Sequence, residues 1–131
     1  MRAPFMPAPS RHAAAWNAAG QCVAAAEFGL KPSCVAVRQV LNGTGWGVSI
    51  TGQKIGQPSY RTKAGEAMLL AGAVAEKCAG GDVDLPDDDL RACMSELIER
   101  RLPRVHAIAK TLAESASSLE GAELAAILQM E

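Results

Sequence analysis

The segment from Ser10 to Gly29 constrains this chain more than any other: a side chain suited to capping a helix, then a stretch dominated by alanine, then a glycine. A serine oxygen satisfies a free amide of a first helical turn, alanine has the highest helix propensity, and glycine tolerates the left-handed backbone that ends a helix. A helix is therefore expected from Ser10 to about Phe28. The same bias runs through the chain, since 49% of its 131 residues are hydrophobic and only 4% are aromatic. Such a composition favours helices packed closely through small side chains. This length fits one domain; residues 1–9, with three prolines, read as an arm and residues 10–131 as the single folded unit.

Beyond Gly29, residues 31–33 read as a connector, and the alternating, β-branched run from Cys34 to Val40 reads as a strand. Asn42 and Gly43 begin a turn, and Trp46 to Ile50 returns, so residues 34–51 form an expected β-hairpin. Residues 52–61, with two glycines and a proline, read as an exposed loop. A second helix is expected from Thr62 to Ala79, with Met68, Leu69, Ala71, Gly72, Val74 and Ala75 on a broad apolar face and Gly80-Gly81 ending it. The acidic run Asp82 to Asp89 around Pro86 suits the first turn of a third helix reaching Arg100. Pro103 starts a fourth helix that extends to Ser115, and a fifth begins near Ser118 and includes Leu124, Ile127 and Leu128. The expected class is α+β and mainly helical, with a small hairpin and about five helices.

Thirteen basic and fourteen acidic residues leave a formal charge of -1. No Lys/Arg run makes a phosphate-binding stripe, so nucleic acid is not an expected partner. Glu27, Glu76 and Lys77 interrupt the longest apolar stretches, which stay below the roughly 18 to 20 residues of a membrane helix. The first nine residues lack the apolar core of a signal peptide. A soluble, cytoplasmic protein is expected. Cys22, Cys34, Cys78 and Cys93 are widely separated and read as reduced thiols, not as a disulfide scaffold or a four-ligand metal site.

Several partial motifs fail on context. Gly47 to Lys54 approaches a phosphate-binding G-x-x-x-x-G-K, but Gln53 intrudes and no helix follows; Gly43, Gly45 and Gly47 belong to a tight hairpin and not to a dinucleotide fingerprint. His12 and His106 have no Ser or Cys partner at a catalytic spacing. Asp82, Asp84, Asp87, Asp88 and Asp89 are oxygen-rich, yet their spacing fits no EF-hand and suits a helix N-terminus.

Four blocks in order carry a family resemblance. W-N-A-A-G-Q at 16–21, followed by a small apolar helix, Gly29 and the valines of the first strand, resembles the opening of the FtsH-type ATP-dependent zinc metallopeptidases, where an aromatic precedes H-E-A-G-H. Leu69 to Glu76 resembles the family's helix of leucine, alanine, glycine, small residues, alanine and glutamate. Gly80-Gly81, the aspartates and Asp89-Leu90 resemble the segment that starts the helix carrying the third zinc ligand, and residues 108–124 resemble the terminal helices. The resemblance implies a zincin-like peptidase domain.

The departures from that family decide the expected activity. A working H-E-x-x-H helix holds zinc with two histidines one turn apart and activates water with the glutamate between them. Here those positions are Asn17, Ala18 and Gln21. Amides are poor zinc ligands and alanine accepts no proton. Asp89, or Asp88 beside it, matches only the third ligand. Cys22 and Cys93 are the only candidates for replacement ligands, and neither stands at a family ligand position. No Walker motif is present, so ATP dependence is not carried over.

The expectation is a pseudopeptidase: no enzyme, no cofactor, and a protein partner of unspecified identity, held in the cytoplasm and compatible with a phage or mobile-element origin. The resemblance implies that a sheet edge beside the motif helix pairs with extended polypeptide, and Trp46, Val48, Ser49 and Ile50 are the candidate residues, with Trp46 as anchor or as core. The alternatives are an active hydrolase with a different metal site and an unrelated small helical adaptor.

Overall fold

A computed structural model describes residues 7–40, 45–53 and 62–130. The expected turn at 41–44 and most of the expected loop, 54–61, lie outside them.

The alanine-rich segment forms α1 (Arg11–Glu27), and Ser10 caps it by accepting from the Ala13 amide at 3.1 Å. Gly29 follows at φ 81°, the left-handed conformation foreseen for it. Nearly every side of α1 is covered; Ala14, Ala15, Ala18, Ala19, Cys22, Ala24 and Ala25 have no exposed surface. A helix that is apolar all round belongs in an interior, and α1 packs against the sheet, α2 (Lys63–Cys78) and α4 (Leu102–Glu114). Gly20 explains how closely α1 and α2 meet. A Cβ on Gly20 would collide with the Ala71 carbonyl and stand 2.7 Å from the Ala75 Cβ.

β1 (Lys31–Gln39) and β2 (Trp46–Gln53) form the expected antiparallel hairpin. Residues 31–33 are part of β1 and not a connector, at a place where the register shifts between Pro32 and Cys34. Gly52 permits this because a Cβ there would strike the Lys31 carbonyl. The fifth helix, α5 (Gly121–Leu128), starts later than the sequence predicts, because Ser118–Glu120 form a third strand, β3, along β1. The sheet order is β2-β1-β3, and Leu119 of β3 is buried opposite Val35.

Thr62 caps α2, accepting from the Gly65 amide at 3.0 Å, and Gly80 at φ 90° follows its end. The third helix, α3 (Asp89–Arg100), begins after Pro86, not around it: the Asp88 carboxyl accepts from the Arg91 amide at 2.9 Å and is the cap. Pro103 lies in the first turn of α4, where its missing N–H costs nothing. Among the described residues, the chain therefore has five helices and one three-stranded antiparallel sheet, an α+β and mainly helical arrangement. None of the helices among the described residues is long and apolar enough to cross a membrane.

Candidate functional site

The i, i+4 spacing of Asn17 and Gln21 puts both on one face of α1, and this face meets α2 where Gly72 and Glu76 are likewise four residues apart. Gln21 Nε2 donates to Asn17 Oδ1 at 2.7 Å, and Asn17 Nδ2 donates to Glu76 Oε1 at 3.2 Å. All three side chains are buried; Glu76 is 1% exposed and each amide 6%. Gly72 leaves the room they occupy, since a Cβ on it would stand 2.8 Å from Gln21 Cγ. The chain then folds back over the carboxyl group: the Gly81 amide donates to the Glu76 carbonyl at 2.9 Å, and a Cβ on Gly81 would lie 2.9 Å from Glu76 Cγ.

Sequence reasoning brought Asn17 and Gln21 to one face but missed Glu76 as their partner. Its signal was a single acidic residue that follows directly on the apolar run Ala67–Ala75 of α2. At helix interfaces such a residue is either solvated or paired, and the glycine one turn before it marked the close approach that excludes water.

These residues do not fit a catalytic zinc. The two amides face each other and a carboxyl group, while Ala18 between them is wholly buried among apolar neighbours. Asp88 and Asp89 are exposed at the start of α3, where Asp88 is engaged with the Arg91 amide. No hydrogen bond among the described residues joins either aspartate to Asn17 or Gln21. Burial, reinforced by the nearby Cys34 thiol, pushes the Cys22 thiol up to about 12, so it is a poor source of thiolate. Cys93 is exposed on α3. Among the described residues no group of three or more His, Cys, Asp or Glu side chains is placed to hold a metal ion.

The two histidines are both exposed, and they converge on one ring that the sequence did not connect with them. Trp16, next to Asn17, has the His12 ring at 6.4 Å and the His106 ring of α4 at 5.8 Å, the latter edge to face. Asp87 pairs with Arg91 at 3.0 Å, which, with the cap at Asp88, accounts for part of the acidic run as helix N-terminal chemistry.

The hairpin's outer strand presents a different surface. The Trp46 amide donates to the Ala8 carbonyl at 2.8 Å, and the Ala8 amide donates to the Trp46 carbonyl at 3.0 Å. Trp46 therefore directs its main-chain groups away from β1. Because these groups alternate along an antiparallel strand, Val48 and Ile50 direct theirs the same way, and Ser49 faces its partner Ala36 in β1. The side chains divide accordingly: Trp46 and Val48 pack against the core, Ile50 is buried, and Ser49 is exposed. Of the four edge candidates, Val48 and Ile50 thus direct their main-chain groups away from β1, Trp46 shares its own with Ala8, and Ser49 turns its own toward β1.

No family model, no curated protein and no solved structure matches this chain.

Proposed function

We propose that the chain is a zincin-like, FtsH-type peptidase domain that has lost hydrolysis and serves as a protein-binding module. The observation that carries this reading is the inward-facing network of Asn17, Gln21 and Glu76 at the motif positions, with the buried Ala18 where a general base would stand. Two amides and a methyl group supply neither zinc ligands nor a proton acceptor. The order of elements supports the relationship: a motif helix, a hairpin beside it, a second helix bearing glycine and glutamate, and a third helix starting at Asp89.

Binding through the β2 edge follows from main-chain chemistry that the lost zinc does not affect. An extended partner gains hydrogen bonds from the outward groups of Val48 and Ile50 and needs no side-chain pocket. Nucleic acid, ATP and a cofactor have no part in it. The test is incubation of the purified, untagged protein with casein, with and without a chelator. The proposal predicts no cleavage in either case; chelator-sensitive cleavage by the protein contradicts it.

A further inference from the structure

We draw no further inference here: the strongest candidate, the apolar face that α5 leaves exposed at Ala122, Ala125 and Ala126 with Met130 just beyond its end, is an unpartnered surface, and nothing in the structure shows what covers it.

Discussion

Across the interface of α1 and α2, the Asn17 carboxamide donates to Glu76 Oε1 at 3.2 Å, and both side chains are almost wholly buried. A polar contact in so apolar an interface fixes the relative register of the two helices, because any slide of one past the other removes a partner from a group that water does not reach. Glycines at 20 and 72 make that interface tight enough to exclude water.

Asn17→Ala is therefore expected to lower stability by about 1–3 kcal/mol, the cost of removing a hydrogen-bond partner from buried polar groups. Urea unfolding followed by circular dichroism measures it. Asn17→Ala together with Glu76→Ala should cost less than the sum of the two single changes. Strict additivity would mean that the contact contributes nothing.

Introducing H-E-x-x-H by Asn17→His, Ala18→Glu and Gln21→His is expected to damage the fold before it yields an enzyme. Ala18 has no exposed surface, and a carboxylate in its place costs more than about 3 kcal/mol when nothing nearby pairs with it. Ala18→Glu alone should show this loss in thermal unfolding. If the variant melts within a few degrees of the parent, the face of α1 at residue 18 is more open than its burial implies.

Cys22 makes stability sensitive to alkali. Its thiol is pushed from 9.0 up to about 12 by burial and by Cys34, so above pH 9 the unfolded chain loses a proton that the folded chain keeps. The stabilisation is complete below the unfolded value and is lost as pH rises from 9 toward 12, by up to about 1.4 kcal/mol per pH unit. Cys22→Ala should flatten the fall in unfolding free energy between pH 9 and 10.5. Identical slopes in the two proteins would place Cys22 in contact with solvent.

Much of the fold was legible where a single residue decides local geometry. Ser10, Thr62, Gly29 and Gly80 marked helix ends through chemistry that acts within one turn. β3 was hidden because its three residues form a strand only by pairing with residues more than eighty positions earlier, and one apolar residue between two polar ones is too short an alternation to mark a strand. The start of α3 was misplaced because Pro86 and Asp88 both suit a first turn, and the competition was settled by the Asp88 oxygen reaching the Arg91 amide.

The candidate site was half legible. Helical periodicity placed Asn17 beside Gln21, but their direction of facing depends on α2, and nothing local announces that Glu76 meets them. Trp46, Val48, Ser49 and Ile50 were recognisable as a strand. Which of them points its amide outward is set by the register of β2 on β1 and shows in the rung to Ala8, a contact between segments far apart in the chain.

Zinc content tests the central claim most directly. Inductively coupled plasma mass spectrometry on protein purified without a histidine tag is expected to find zinc far below one ion per chain, because Asn17, Ala18 and Gln21 provide no ligand pair and no group of three or more His, Cys, Asp or Glu side chains among the described residues is placed to hold a metal ion. About one tightly held zinc per chain, retained through dialysis against a weak chelator, would contradict the account.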